Sequence, residues 1–241
     1  MYRTFDQVVY RKTASGWLAV GTDDVCSCAC ITIPTSIDGV PVNGIANAAF
    51  AGCLDVETLV IAPGATRIGA YAFARCRRLA EIWLPDTVTE IEDGAFLSCD
   101  HLRSVILPPH LKGLGYMTFC GCEALTFVSL PQDCEACGWL SFYTNTGEVQ
   151  PYVWVPRRLS HAYLGGTFRC AALLFEDDGG DEAVAKRQCR THTVGNVTKM
   201  IPDTERFFVH SRNTSRDAAI RACLGNAVAD AYASPWEEIH K

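Results

Sequence analysis

The chain has 241 residues, a formal net charge of −6 and 49% hydrophobic residues. Its basic residues are scattered and form no stripe interleaved with aromatics, which argues against nucleic acid as a partner. No apolar run reaches membrane-spanning length and the opening residues carry no signal-peptide core, while thirteen cysteines, an odd number, point to a reducing, cytoplasmic setting.

Residues 1–30 hold two apolar runs, Val8-Val9-Tyr10 and Trp17-Leu18-Ala19-Val20, around the turn-forming Thr13-Ala14-Ser15-Gly16. They read as a β-hairpin that covers one end of the fold. Cys26, Cys28 and Cys30 alternate immediately before Ile31. If Ile31 and Ile33 face the core, the three thiols would lie on the outer face of a strand, ~6.6 Å from one to the next. A soft-metal or redox site could use that spacing, although a zinc site would need more ligands than this stretch supplies. Chance alternation in a cysteine-rich chain is the plainer reading.

A period of 23 residues then runs through the chain. Phe50, Phe73, Phe96 and Phe119 are evenly spaced, as are Cys53, Cys76, Cys99 and Cys122. Eight residues before each Phe stand Val42, Ala65, Val88 and Leu111, and five before it Ile45, Ile68, Ile91 and Leu114. Apolar residues recur three, six and eight places after each Cys, as in Leu79, Ile82 and Leu84, and each coil then turns at a proline: Pro63, Pro85, Pro108 or Pro131. Periods of this length mark a solenoid whose coils bury one another's apolar faces. The two-residue spacing of the last columns predicts a short parallel strand, ended by a proline that has no N–H to give the next coil. A second extended piece follows around Val88 and Ile91. The small residues near each Phe, as in Asp93 to Cys99, predict a short helix or 3₁₀ turn. The periodic cysteines are expected to fill the core as small apolar groups.

The pattern Ala-Phe-x-x-Cys-x-x-Leu-x-x-Ile-x-Leu-Pro at Ala72–Pro85, repeated at Ala95–Pro108 with Val105 for Ile, resembles the BspA-type leucine-rich-repeat family. Ile31-Thr-Ile-Pro-Thr-Ser-Ile-Asp-Gly-Val-Pro-Val also looks like that family's opening coil. The resemblance covers about residues 5–156 and implies a leucine-rich-repeat solenoid, often a bacterial surface antigen, with no catalytic motif. It leaves a cell-surface or secreted setting open if a leader is missing. Where the better-known leucine-rich pattern keeps an asparagine after the strand, this chain has Gly64, Thr87, His110 and Asp133, so no asparagine ladder is expected.

Farther along the repeat decays. Phe142 keeps the period, but the two apolar columns before it become Cys134 and Cys137. These resemble a C-x-x-C redox or zinc motif, yet stand at core positions. Tyr152-Val-Trp-Val-Pro156 reads as the last strand of a solenoid spanning 31–156. Residues 157–241 are expected to form an α/β C-terminal cap, with a separate module as the alternative. They carry an acidic turn at 176–182, a helix at 182–190, and a helix at about 215–233 with Ile220, Cys223, Leu224, Ala227 and Val228 on one face. The fold class expected is thus an α/β repeat.

Between the buried strand columns, alternation turns other residues outward. Val60, Trp83 and Ile106 fall in one column and Glu81, Ser104 and Phe127 in its neighbour, with Tyr152 and Trp154 on the final strand. Contiguous outward apolar residues, aromatic ones above all, mark interaction sites. The expectation is a non-catalytic scaffold binding a protein or peptide on this face. The alternatives are self-association through the same face and a thiol or metal site at Cys26, Cys28 and Cys30. Six dispersed histidines and the lack of a phosphate loop give no basis for an enzyme or a cofactor.

Overall fold

The computed structural model describes residues 1–23, 28–144, 151–155 and 172–175. It opens with β1 (Tyr2–Phe5), β2 (Val8–Lys12) and β3 (Trp17–Thr22), an antiparallel meander. The expected hairpin is β2–β3, and β1 is an addition to it. The β1–β2 turn passes through Asp6 and Gln7 at φ 47° and 65°, a left-handed pair without the glycine that normally announces such a turn.

Among the described residues, five successive coils each contribute one strand to each of two faces. The first face is built from β4 (Cys30–Ile33), β7 (Thr58–Ile61), β9 (Glu81–Trp83), β11 (Ser104–Ile106), β13 (Phe127–Ser129), β15 (Tyr152–Val155) and β16 (Ala172–Phe175). The second is built from β6 (Val40–Ile45), β8 (Arg67–Ile68), β10 (Glu90–Ile91), β12 (Gly113–Leu114) and β14 (Ala136–Cys137). Along the second face every coil pairs in parallel with the next, and β3 joins the same sheet beside β6. In the first coil β5 (Ser36–Ile37) folds back on β6 about Asp38-Gly39, whose φ values of 50° and 72° suit a two-residue hairpin. Because β16 pairs in parallel with β15, the ladder runs one strand past the boundary that the sequence suggests at Pro156.

The periodic columns are the core. Val42, Ala65, Val88, Leu111 and Cys134 are fully or almost fully buried, as are Ile45, Ile68, Ile91 and Leu114. Phe50, Phe73, Phe96, Phe119 and Phe142 stack in a continuous column, with ring centroids 5.1, 5.6, 5.4 and 6.0 Å apart and planes within 11° of parallel. The cysteine column lies alongside. The thiols of Cys76, Cys99 and Cys122 donate to the carbonyl oxygens of Phe50, Phe73 and Phe96 in the preceding coil, at 3.1–3.3 Å. A sulfur here fills space and also satisfies a buried acceptor.

The expected helical turn at each Phe is absent: among the described residues there is no helix. The reason is a second ladder. Ala48, Phe50 and Gly52 donate their N–H groups to the next coil's Ala70, Ala72 and Ala74, while the alternate residues Ala49, Ala51 and Cys53 donate back within their own turn. The same arrangement recurs at Tyr71, Phe73 and Arg75, and at Gly94, Phe96 and Ser98. Such alternation forces left-handed residues into the turn at two periodic columns. One column is Ala48, Tyr71, Gly94, Met117 and Leu140; the other is Gly52, Arg75, Ser98 and Gly121. A left-handed residue with a Cβ costs roughly 1–2 kcal/mol, less what glycine loses in entropy. Arg75 is exposed and shares its column with two glycines. Arg75→Gly is therefore expected to stabilise the fold by about 0.5–1 kcal/mol, read as a higher urea midpoint. A lower midpoint would mean that the arginine side chain contributes more than its backbone costs.

The coil edges carry paired polar groups. At the column where the more familiar repeat keeps asparagine, Thr87 Oγ1 accepts from the Gly64 N–H at 3.1 Å and His110 meets Asp133 at 3.3 Å. An Asx residue works elsewhere: three residues before the Phe, Asn47 and Asp93 accept the N–H groups of Ala70 and Tyr116, at 3.2 and 2.7 Å.

Candidate interaction surface

Within each sheet the outward columns follow the predicted register. Thr32, Val60 and Trp83 are neighbours across β4, β7 and β9, and Cys30, Thr58 and Glu81 lie beside them. Farther along, Ser104, Phe127 and Tyr152 align, as do Ile106, Ser129 and Trp154. The face is divided, however. The strands form a three-stranded sheet ending at β9 and a four-stranded sheet beginning at β11, so the backbone ladder is interrupted between Trp83 and Ser104.

Exposure also changes along the face. Val60, Trp83, Ser104 and Ile106 are half-buried and Glu81 is exposed. Phe127, by contrast, is 0% exposed, and so are Val128 and Ser129. Three consecutive buried residues on one short strand mean that both faces of β13 are covered. The expectation that Phe127 presents an open aromatic surface is thereby corrected: alternation fixes the face a side chain takes, and does not keep that face open. For Tyr152 and Trp154 the backbone register stands, and their side chains lie outside the described residues.

Charged side chains rim the turn that precedes these strands. Arg78 pairs with Asp55 at 3.6 Å and with Glu57, and Arg77 with Asp100 at 3.7 Å. Arg77 and Arg78 are thus matched by carboxylates, an arrangement suited to solvated coil edges and worth little in stability.

Two members of the cysteine triplet lie among the described residues. β4 begins at Cys30, which is exposed, whereas Cys28 precedes the strand and is partly buried against the core. Cys26 lies outside the described residues. Among the described residues no group of three or more His, Cys, Asp or Glu side chains could hold a metal. No helix there is long and apolar enough to cross a membrane. The helices expected at 182–190 and 215–233 also lie outside the described residues.

A second set of aromatics escaped strand-based reasoning because it sits on the Phe turns. Tyr71, Tyr116 and Trp139 are 43%, 39% and 57% exposed. Tyr116 and Trp139 are one period apart, and that spacing is the signal that could have revealed them. Tyr71 lies over Gly94, where an added Cβ would come within 2.4 Å of its ring.

Parallel coils of 23 residues with buried Phe and Cys columns can be compared directly with known repeat families. Residues 43–150 match the model of the BspA type leucine rich repeat region, in six copies. Over these residues the chain carries repeats of the BspA type. The chain is similar in fold to solved bacterial leucine-rich-repeat proteins. It is 25% identical to a T. pallidum leucine rich repeat protein, TpLRR, with a TM-score of 0.63, covering 80% of this chain and 96% of that one. A Bacteroides ovatus leucine-rich repeat protein gives 22% identity and a TM-score of 0.52, over 73% of this chain and 52% of that one. The pneumococcal vaccine antigen PcpA gives 17% identity and a TM-score of 0.61, over 79% and 45%. The chain therefore spans about half the length of the last two. No curated protein matches it.

Proposed function

We propose that the protein is a non-catalytic scaffold that binds a protein or peptide partner on the first-face sheets around Val60, Glu81, Trp83, Ser104 and Ile106. The observation that carries this reading is the set of half-buried apolar residues Val60 and Trp83 on one sheet and Ile106 on the next, accompanied by the polar Glu81 and Ser104, over a core that contains the Phe stack. A preformed surface of this kind loses little entropy when an apolar side chain is buried against it. The exposed carboxylate of Glu81 would select against acidic neighbours in the partner. The BspA type repeats support binding as the role and a cell-surface setting. The odd cysteine count weighs little against that setting, because the thiols of Cys76, Cys99 and Cys122 are wholly buried and need no reducing compartment to stay reduced.

The test compares the native chain with a Trp83→Ser, Ile106→Ser variant of unchanged circular dichroism, each immobilised and exposed to a displayed peptide library. Peptides enriched on the native chain by tenfold or more over the variant are the expected result. Equal enrichment on both would sink the assignment of the face. A dimer lost in the variant, seen by light scattering, would instead make the face a self-association surface.

A further inference from the structure

The fifth coil departs from the others at two core positions. Where earlier coils place Val42 and Ile45, Ala65 and Ile68, Val88 and Ile91, or Leu111 and Leu114, this coil places Cys134 and Cys137. Their sulfurs are 3.9 Å apart and share an S–H···S hydrogen bond. Cys134 is fully buried, whereas Cys137 is only partly so. Cys137 stands on β14, the last strand on the path of its sheet among the described residues. The periodic thiols differ, since those of Cys76, Cys99 and Cys122 are enclosed and directed at carbonyl oxygens.

We propose that Cys134 and Cys137 form a thiol–disulfide exchange site that is oxidised to an intramolecular disulfide by low-molecular-weight disulfides. Bringing the sulfurs from 3.9 Å to bonding distance requires an approach of about 2 Å. The hydrogen bond from Cys137 pulls the Cys134 thiol below its ordinary value, while that bond and burial push Cys137 up, so one proton leaves the pair more readily than two. The proton left behind is shared along the S–H···S bond. When it sits on Cys134, the Cys137 thiolate, on the less buried residue of the pair, attacks one sulfur of the disulfide R–S–S–R. That S–S bond breaks, RS⁻ leaves and takes a proton from solvent, and a Cys137–S–S–R bond forms. Cys134 then gives its proton to solvent and displaces the second RS⁻, closing the Cys134–Cys137 bond. The protein loses two electrons and two protons, and one small disulfide becomes two thiols.

Glu135 lies between the two cysteines, which makes the product easy to read. The full chain is equilibrated with glutathione buffers of rising oxidised fraction, quenched in acid, unfolded, alkylated and cut after glutamate. Residues 124–135 and 136–148 should then appear as two peptides joined only by the new bond, each without its alkyl label, while the Cys76, Cys99 and Cys122 peptides stay fully labelled. Joining should occur at a lower oxidised fraction in the folded chain than in the same chain held in urea. The variant Cys134→Val, Cys137→Ile restores the residue pair found at Val88 and Ile91, and should remain folded and lose the joined peptides. The proposal is overturned if the two peptides stay separate and labelled at every ratio, if they carry glutathione alone or join other cysteines, or if folded and unfolded chains behave alike.

Discussion

Phe96→Ala should be the most damaging single truncation in the fold, costing about 3–5 kcal/mol in urea melts and falling at the upper end of that range. Phe96 is 0% exposed and lies between two rings, Phe73 at 5.6 Å and Phe119 at 5.4 Å, with planes 6° and 2° from parallel. Removing it empties a cavity that the backbone cannot close, because the N–H of the same residue is pinned to Thr118 in the next coil. It also deletes two stacking contacts, each worth roughly 0.5–1.5 kcal/mol beyond burial. Phe50 stacks on a single ring among the described residues. Phe50→Ala should therefore cost about 1 kcal/mol less than Phe96→Ala. A cost below 1 kcal/mol for Phe96→Ala would mean that the Phe column does not carry the core.

Gly115→Ala is the second large effect expected, at about 2–3 kcal/mol, from the opposite cause of overfilling. An added Cβ would lie 2.3 Å from the Asp93 nitrogen and 2.4 Å from the Glu92 carbonyl carbon. Both are backbone atoms, so no rotamer change can relieve the clash. Gly115 cannot retreat either. Its N–H donates to the Ile91 carbonyl at 3.0 Å, and its own carbonyl oxygen accepts from Thr118 Oγ1 and Ser141 Oγ at 2.8 and 3.0 Å. Gly69 and Gly138 occupy the same column and face comparable backbone contacts. Gly113→Ala is the matched comparison: its Cβ would lie 3.1 Å from the Ala136 carbonyl oxygen, and the loss should be smaller. Equal losses for the two variants, measured by the same melts, would rule out close coil approach as the cause.

The parts of this fold legible in the sequence are those written in side-chain chemistry. Columns of Phe, Cys, Ile and Leu repeat because each coil must bury the same groups, so the solenoid, its paired strands and its core can be read directly. The Phe turn was misread because small residues with apolar ones three to four apart suit a helix and a laddered turn alike. What separates the two is the left-handed backbone at Ala48, Tyr71, Met117 and Leu140, and none of these side chains signals such a conformation. The outward face was legible in register at Val60 and Trp83, which pair across β7 and β9, whereas the break before β11 was not. The burial of Phe127 was not, because covering a strand's second face is a tertiary event that alternation along one strand cannot encode. Cys134 and Cys137 were recognisable as a motif, and their 3.9 Å approach, with Cys137 only partly buried, is a tertiary fact that the spacing does not encode.

The inter-coil backbone hydrogen bonds of the Phe turns join residues 22 positions apart, from Ala48 with Ala70 to Gly121 with Tyr143. Contacts of that separation in a chain of 241 residues correspond to a relative contact order near 0.1, in the range of fast-folding local topologies and below that of most all-β proteins. Each new coil needs only its predecessor as a template, so the loop that must close is always one repeat long. Adding a whole 23-residue repeat would then lengthen the molecule without lengthening the search, whereas deleting a single residue would stall propagation at the coil where the columns fall out of step.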